Sequence, residues 1–291
     1  MVVPEQQQPS FAGGAQPWLA GLGRLREVVR RELITTQLRE QLAAVGPPPL
    51  RVLDAGCGQG TEALRLAHAG HRVTGLDSSA ELLAHFADTL AGHPPEVRDR
   101  ITLVRGAVED APTLVGGGYD AALCHGVLMY CDDAAPLLAA LTAVARPGGL
   151  VSLLVRNGGA MAMRAGLSGS WAEALEAFDR RDYVNRLGLR ARGHTLDELD
   201  AAMAAHRWVR HGWYGVRVFT DHLDAPAPDA GELEVLVCAE DRAGRRDPYR
   251  SVAALLHVLY TGRGAALRPV RAGEGHAGDR QHDVPPRPAW P

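Results

Sequence analysis

The residues best suited to chemistry form a glycine-rich segment, Asp54-Ala55-Gly56-Cys57-Gly58-Gln59-Gly60. Glycines allow the backbone to turn sharply and to approach a ligand closely, because they carry no Cβ atom. A dinucleotide-binding segment of the G-x-G-x-x-G type needs a small residue at position 61, where this chain has Thr61. The carboxylate of Asp54 would repel a pyrophosphate and attract a cationic amino group. The segment therefore favours a nucleotide that bears an amino acid over NAD.

A second candidate is Asp77, which follows the glycines by about twenty residues. A carboxylate at the end of a second strand accepts hydrogen bonds from the two hydroxyls of a ribose. The alternative is that Asp77, Ser78 and Ser79 only cap the next helix, although either serine could cap it without Asp77.

Two later segments extend this pattern to four strand ends. Gly106-Ala107-Val108-Glu109-Asp110 follows a third apolar run, where an adenine would lie over the edge of a sheet, and Cys124-His125-Gly126-Val127-Leu128 follows a fourth. Each of the four strand ends then offers a group that one nucleoside ligand needs. The combination is more specific than any one segment.

Alternating strands and helices must position these groups. We predict strands at 50–55, 71–76, 101–106, 119–124, 149–155 and 209–220, helices at 17–44, 61–69, 79–90, 136–145, 171–187, 194–206 and 232–242, and either element at 253–261. Such alternation indicates a parallel sheet covered on both faces. The predicted fold class is α/β, a doubly wound and mostly parallel seven-stranded sheet of the Rossmann-like type with an N-terminal helical lid.

The ends of the chain differ in composition from the middle. Residues 1–17 and 263–291 lack apolar periodicity and are predicted to be disordered. The chain between them, 18–262, is predicted to be one domain with an insertion at about 158–206.

Composition narrows the class of protein. The net charge of −3 excludes a globally basic nucleic-acid binder but not a local basic face. All 31 basic residues are Arg, so an anionic substrate must be met by guanidinium groups, which bind carboxylates and phosphates bidentately. The four cysteines show no CxxC pair and no zinc spacing, which predicts no metal site and a reduced, cytoplasmic protein. We expect no membrane span and no signal peptide.

From about Arg24 to Asn157 the chain resembles the class I S-adenosylmethionine-dependent methyltransferases. The resemblance rests on the glycine segment, on Asp77 and on Arg146-Pro147-Gly148-Gly149 before the fifth strand. It implies S-adenosyl-L-methionine as the cofactor, with Gly56 and Cys57 at the methionine moiety, Asp77 at the ribose, and Val108 with Glu109 at the adenine. Asp54 and Gly58 complete the predicted cofactor site.

Over most of residues 20 to 260 the chain is similar to the bacterial tRNA 5-carboxymethoxyuridine methyltransferases. The similar segments are GRLR at 23–26, CHGVL at 124–128, LLVRN at 153–157, GVRVFTD at 215–221, DPY at 247–249 and LHV at 256–258. The similarity implies that Arg26 and His125 contact the cofactor, and that the acceptor is the carboxylate of a modified wobble uridine in tRNA. The chain departs from the family at Cys57, commonly glycine there, and at 160–192.

The acceptor side is predicted from residues near the carboxyl edge of the sheet, with His125, Arg156 and Arg217 as catalytic candidates and Asn157 and Tyr214 beside them. Arg156 could instead form a surface salt bridge, and Arg217 could face solvent. A carboxylate acceptor needs no base, because it is ionised at neutral pH. His125 or Tyr130 could serve as the base for a phenol or an amine.

A basic run could contact the phosphates of a nucleic acid or form a solvated helix face; it comprises Arg180, Arg181, Arg186, Arg190 and Arg192. The expected partner is tRNA or, otherwise, an anionic small molecule, bound by a monomer or a homodimer. The sequence is also compatible with two other functions. One is a small-molecule O- or N-methyltransferase of specialised metabolism, and the other is a non-catalytic S-adenosylmethionine-binding protein.

Overall fold

The computed structural model describes residues 13–262, which form a seven-stranded sheet with helices on both faces. The strands are β1 Arg51–Ala55, β2 Arg72–Asp77, β3 Ile101–Arg105, β4 Tyr119–His125, β5 Ala145–Arg156, β6 Asp182–Val184, β7 Arg190–Arg192, β8 Trp208–Val216 and β9 Leu255–Gly262. The helices are α1 Ala15–Gly21, α2 Leu25–Val45, α3 Thr61–His68, α4 Ala80–Ala91, α5 Pro95–Arg98, α6 Ala111–Leu114, α7 Ala135–Val144, α8 Met161–Leu167, α9 Trp171–Asp179, α10 Leu196–Ala205 and α11 Ala230–Gly244. Short 3₁₀ turns lie at Val108–Asp110, Leu128–Tyr130, Gly158–Ala160 and Tyr249–Val252.

The sheet has the strand order β3-β2-β1-β4-β5-β9-β8. Its first five strands run parallel, β9 runs antiparallel to β5, and β8 runs antiparallel to β9. The chain therefore winds outward in both directions from the boundary between β1 and β4. In sheets of this kind the reversal of strand order leaves a crevice at the carboxyl ends of the strands. The predicted doubly wound, mostly parallel fold is confirmed.

A hydrophobic core lies on each face of the sheet. On one face α2 contributes Leu33, Leu38 and Leu42, which are at most 1% exposed. On the other face the buried side chains include Leu141 of α7 and Met203 of α10. These three helices present apolar residues at helical spacing, which is why their apolar faces pack in the core.

The helix α2 is fastened to the last third of the chain. The carboxylate of Glu27 pairs with Arg217 at 3.2 Å, and that of Glu40 pairs with Arg245 at 2.9 Å. The amide of Gln41 donates to the hydroxyl of Tyr214 at 2.9 Å. The N-terminal lid is therefore anchored along its length.

Three sequence predictions need correction. The helix predicted at 17–44 is two helices, α1 and α2, and α1 begins at Ala15, inside the segment 1–17 predicted to be disordered. The helix predicted at 171–187 ends at Asp179, because the chain then forms the β6–β7 hairpin. Its turn is held by the side-chain oxygen of Asn185, which accepts from the backbone N–H groups of Leu187 and Leu189. The ambiguous segment 253–261 contains the strand β9.

The insertion between β5 and β8 consists of α8, α9, the β6–β7 hairpin and α10. The predicted disordered tail at 263–291 lies outside the described residues. Within 13–262, no helix is both long and apolar enough to span a membrane.

Candidate active site

A cavity of about 1320 Å³ opens at the carboxyl ends of the parallel strands, under the start of α2 and the insertion. Every residue predicted to contact the cofactor or to be catalytic lines this cavity: Arg26, Asp54, Gly56, Cys57, Gly58, Asp77, Val108, Glu109, His125, Arg156 and Arg217. The fold thus brings together residues from five strand ends and two more distant parts of the chain.

The glycine segment forms the tight turn between β1 and α3. Gly56 and Gly60 have φ values of +79° and +82°, in the left-handed region that favours glycine. A Cβ atom at Gly56 would lie 2.1 Å from Val127, and one at Gly60 would lie 2.3 Å from the ring of Phe86. Cys57 is 8% exposed, and its side chain belongs to the hydrophobic core that includes α2.

Asp54 is a buried carboxylate at the end of β1, and it is 3% exposed. The backbone N–H of Ala63 donates to it, but its Oδ2 atom has no hydrogen-bond partner within residues 13–262. Burial, together with the nearby carboxylates of Glu62 and Asp77, raises the pKa of Asp54 to about 7. A cationic donor in the cavity would satisfy both the unpartnered oxygen and the charge, so this site fits an ammonium group.

Asp77 braces the glycine turn. Its Oδ2 atom accepts from the N–H of Gly58 and its Oδ1 atom accepts from the N–H of Ser79, both at 2.8 Å. Burial raises the pKa of Asp77, although these backbone hydrogen bonds oppose the rise. The hydroxyl of Ser79 caps α4 by accepting from the N–H of Leu82. The side-chain cap of α4 is therefore Ser79 and not Asp77.

The adenine-side residues lie on the 3₁₀ turn that follows β3. The side chain of Val108 is 6% exposed, while Glu109 is exposed at the cavity wall.

His125 ends β4 and faces the cavity beside the glycine turn. Its Nε2 atom lies 2.9 Å from the hydroxyl of Ser152, and its Nδ1 atom has no partner in the part of the chain that the structure describes. Burial, His257 and Arg30 lower the pKa of His125 well below its ordinary value. The ring is therefore neutral at physiological pH.

Two of the predicted arginines belong to a buried ion-pair network. The carboxylate of Asp221 pairs with Arg156 at 3.0 Å and with Arg217 at 3.2 Å, and Arg217 also pairs with Glu27. Burial alone would raise the pKa of Asp221, but Arg217 and Arg156 lower it to about 2. Both arginines are at most 9% exposed, so neither the surface salt bridge considered for Arg156 nor the solvent-facing position considered for Arg217 is correct.

A buried carboxylate shapes the loop that carries this network. Glu240 of α11 is 0% exposed and accepts hydrogen bonds from the N–H groups of Val218, Phe219 and Thr220 at 2.6 to 3.0 Å. The hydroxyl of Thr220 donates to it as well. Arg217 enters this loop with φ +62°, a left-handed conformation that is uncommon for a residue with a side chain. Glu240 therefore holds the backbone from which Arg217 and Asp221 project.

Two arginines in the cavity have no carboxylate partner. Within residues 13–262, Arg26 and Arg164 make neither an ion pair nor a side-chain hydrogen bond, whereas Arg186 pairs with Asp224 at 3.0 Å. Burial and the charges of Arg186 and Arg217 lower the pKa of Arg26 to about 10, and burial and Arg186 lower that of Arg164. Both remain protonated at neutral pH. The charge of Asp221 raises the pKa of both groups, but neither arginine forms an ion pair with it in the described residues.

Sequence reasoning did not single out Arg164, because α8 carries no recognisable motif. Of the other candidates, Asn157 and Tyr214 do not line the cavity. Asn157 instead donates to the carbonyls of Ser251 and Ala253, and Tyr214 is fully buried on β8.

The remaining groups are weak acid–base candidates or lie apart from the cavity. Burial and Tyr183 raise the pKa of Tyr130 to about 12, and its hydroxyl accepts from the amide of Asn185 at 2.8 Å. From the predicted basic run, Arg180 and Arg186 line the cavity, and the others do not. No cluster of metal-ligating side chains exists among the described residues.

Comparison with known proteins agrees with this arrangement. Residues 52–149 match the methyltransferase domain family. The chain is 30% identical over 244 residues to the tRNA 5-carboxymethoxyuridine methyltransferase of Escherichia coli strain K12, a match that covers 81% of this chain and 89% of that protein.

Two solved structures share the fold. One is the magnesium protoporphyrin IX methyltransferase of Synechocystis PCC 6803 with bound SAH, with a TM-score of 0.57, 14% identity, and coverage of 87% of this chain and 97% of that one. The other is the glycopeptide N-methyltransferase MtfA complexed with S-adenosylmethionine, with a TM-score of 0.51, 17% identity, and coverage of 78% and 93%. The chain therefore belongs to the S-adenosylmethionine-dependent methyltransferases, in the family that includes the E. coli tRNA 5-carboxymethoxyuridine methyltransferase.

Proposed function

We propose that this methyltransferase esterifies a carboxylate, and that the carboxylate belongs to 5-carboxymethoxyuridine in tRNA. The carboxylate acceptor is supported by two arginines that line the cavity and form no ion pair within the described residues, Arg26 and Arg164. The relative from E. coli supports the second part, through the substrate in its name. A tRNA acceptor implies a cytoplasmic enzyme.

On the cofactor side, Asp54 accepts from the ammonium group and Arg26 pairs with the carboxylate of the methionine moiety. Asp77 receives the ribose hydroxyls, and Val108 with Glu109 flanks the adenine. The support for Asp54 is its unpartnered Oδ2 atom, which is buried in the cavity wall. A buried polar atom without a partner costs about 1–3 kcal/mol, and a bound ammonium group would remove that cost.

On the acceptor side, Arg164 pairs with the substrate carboxylate. Cofactor and acceptor together bring two carboxylates, which matches the two guanidinium groups that have none. Arg156 and Arg217 were the sequence candidates for this role, but both are already paired with Asp221. They contribute positive charge to the wall beside Arg164.

These residues need only bind and orient the acceptor. S-adenosylmethionine supplies the methyl group on a positively charged sulfur. A carboxylate has an ordinary pKa of about 4 and is ionised at neutral pH, so no residue must remove a proton. The raised pKa of Tyr130 keeps its hydroxyl protonated, and the lowered pKa of His125 makes its ring a weak base. Both properties are consistent with an acceptor that needs no base. Holding the carboxylate oxygen in line with the methyl group supplies much of the acceleration.

The decisive experiment follows the methyl group. Purified protein is incubated with methyl-labelled cofactor and tRNA that carries free 5-carboxymethoxyuridine, and nucleosides are identified by mass spectrometry. We expect label in the RNA that mild alkali releases as methanol, since methyl esters hydrolyse and aryl ethers and N-methyl groups do not. Alkali-stable label would overturn the carboxylate acceptor. The same reaction is then run with a cell extract in place of tRNA and treated with ribonuclease. If the alkali-labile label survives this treatment, only the tRNA assignment is overturned, and the acceptor is an acidic small molecule.

Variants of the two free arginines separate cofactor from acceptor. Arg164→Met should lower kcat/KM for the acceptor by about 10- to 100-fold with unchanged cofactor affinity, because a charge-assisted contact contributes about 1.5–3 kcal/mol. Arg26→Met should weaken cofactor binding by a similar factor. The matched control is Arg190→Met, which removes an exposed arginine of β7 that does not line the cavity. If Arg164→Met behaves like the control, Arg164 does not hold the acceptor.

A further inference from the structure

A chain of buried hydrogen bonds runs from His125 across the sheet to the lid helix. The Nε2 atom of His125 lies 2.9 Å from the hydroxyl of Ser152 on β5, which lies 2.7 Å from the Nε2 atom of His257 on β9. The Nδ1 atom of His257 lies 2.7 Å from the side-chain oxygen of Gln37 on α2. Ser152, His257 and Gln37 are all 0% exposed, so water cannot replace any member.

The polarity of this chain follows from its last member. The side-chain oxygen of Gln37 can only accept, so the Nδ1 atom of His257 carries the proton. Burial lowers the pKa of His257 to about 3, so its ring is neutral and its Nε2 atom is an acceptor. The hydroxyl of Ser152 then donates to His257, and its oxygen accepts from Nε2–H of His125. The remaining ring nitrogen of His125, Nδ1, is left without a proton.

We propose that Gln37, His257 and Ser152 are positioning residues, which fix His125 in the tautomer that offers an unprotonated Nδ1 to the ammonium group of the cofactor. Two observations point to that ligand group. Both His125 Nδ1 and Asp54 Oδ2 are acceptors without a partner in the described chain, and both residues line the same cavity. The strands β1 and β4 are neighbours, and Asp54 pairs in register with Leu123, two residues before His125. An ammonium group has three N–H donors and can serve both acceptors.

The lid helix therefore acts on the cofactor site in two ways. Its first turns carry Arg26 into the cavity, while Gln37, three turns further along, sets the hydrogen-bond polarity that reaches His125. Docking of α2 and preparation of the His125 ring are one event. These residues lie on the cofactor side, so their role is the same whichever acceptor is methylated.

Nuclear magnetic resonance of the full-length nitrogen-15-labelled protein reads the tautomer directly, because protonated and unprotonated ring nitrogens differ strongly in chemical shift. Resonances of His125 and His257 are assigned by their loss in His125→Gln and His257→Gln. We expect His125 to carry its proton on Nε2, and S-adenosylmethionine to shift its Nδ1 resonance. A proton on Nδ1 in the wild-type protein would mean that the amide of Gln37 is turned and every bond reversed, which overturns the proposal.

Variants of Ser152 distinguish positioning from packing. Ser152→Ala interrupts the chain of hydrogen bonds, so His125 should populate both tautomers. The affinity for S-adenosylmethionine, measured by calorimetry, should fall by about tenfold. Ser152→Thr keeps the hydroxyl and should retain the wild-type tautomer and affinity. Gln37→Met, which removes the terminal acceptor without changing the side-chain length, should reproduce the effect of Ser152→Ala. An unchanged His125 tautomer in both Ser152→Ala and Gln37→Met would show that these hydrogen bonds stabilise the core and do not position His125.

Discussion

Replacing Asp54 by asparagine should stabilise the cofactor-free protein and weaken cofactor binding. The carboxyl group is almost completely buried, and burial with the charges of Glu62 and Asp77 raises its pKa from 3.8 to about 7. The asparagine side chain would have nearly the same shape and could still accept from the N–H of Ala63. It would carry no charge to desolvate.

The sign and the magnitude follow from linkage. Because the pKa of Asp54 is higher in the folded than in the unfolded protein, the folded state binds the proton more tightly. Stability is therefore greatest below the unfolded pKa, decreases as the pH rises from 3.8 to about 7, and is constant above that range. At about 1.4 kcal/mol for each tenfold change in the dissociation constant, the loss is about 4 kcal/mol. The new amide N–H₂ lacks a partner and costs about 1–3 kcal/mol, which leaves a net gain of about 1–3 kcal/mol near pH 8.

Thermal unfolding without cofactor, across a pH series, measures this gain. A domain of this size changes its Tm by about 2–4 °C per kcal/mol, so Asp54→Asn should melt several degrees above the wild type near pH 8, and at or below it near pH 4. The pKa of Glu62 is also raised to about 7, so its titration contributes to the pH dependence of both proteins. Asp88→Asn, on the exposed face of α4, is the matched control.

Calorimetry with S-adenosylmethionine completes the experiment. An ammonium ligand favours the ionised carboxylate, so the affinity of the wild-type protein for the cofactor should fall as the pH drops below about 7. Asp54→Asn should bind the cofactor about 10- to 100-fold more weakly, and its affinity should lack the part of the pH dependence that comes from Asp54. If the asparagine variant is less stable than the wild type near pH 8, the carboxylate is not a destabilising group. If it also binds the cofactor normally, Asp54 does not face the ammonium group.

Two further substitutions test the scaffold of the site. Glu240→Gln should lower the free energy of unfolding, measured in urea, by about 2–4 kcal/mol, because an N–H₂ group would face the backbone N–H donors of the 218–220 loop. The control is Glu234→Gln at an exposed position, and equal stability of the two variants would contradict this prediction. Gly60→Ala should lower the free energy of unfolding by about 1–3 kcal/mol and weaken cofactor binding, because φ is +82° and the new Cβ would lie 2.3 Å from Phe86. The control Gly117→Ala has neither a positive φ nor a clash. A loss of stability no larger than that of the control would show that the turn tolerates a side chain.

The proposed cofactor half of the site can be predicted from the sequence because its residues follow a regular strand pattern. Asp54, Asp77 and His125 each stand at the end of an apolar run, and parallel strands place such ends at one edge of a sheet. No structural information beyond the strand pattern is needed to bring them together. The fold class follows from the same alternation of strands and helices.

The arrangement of the proposed acceptor half cannot be predicted from the sequence, because its contacts join distant segments. Arg156 and Asp221 are 65 positions apart, and nothing in either segment indicates that they pair in a buried position. Arg164 lies on a short helix of the insertion, where charge alone does not distinguish a cavity residue from a surface one. The polar segment 171–187 predicts one helix, but the Asn185 turn reverses the polypeptide after α9 and creates a hairpin.

The fastening of α2 has a consequence for the order in which the protein is made. The contacts Glu27–Arg217 and Gln37–His257 join residues 190 and 220 positions apart, so they cannot form on the ribosome until most of the chain has been synthesised. The glycine turn, Asp77 and His125 all emerge in the first half of synthesis. The ion pairs of the lid helix require Arg217 and Arg245, and the ring polarity of His125 requires His257 on β9. A nascent chain should therefore reach its full affinity for S-adenosylmethionine only when the last strand enters the sheet. The cofactor can then stabilise completed chains more than prematurely terminated ones, which stay more exposed to proteases.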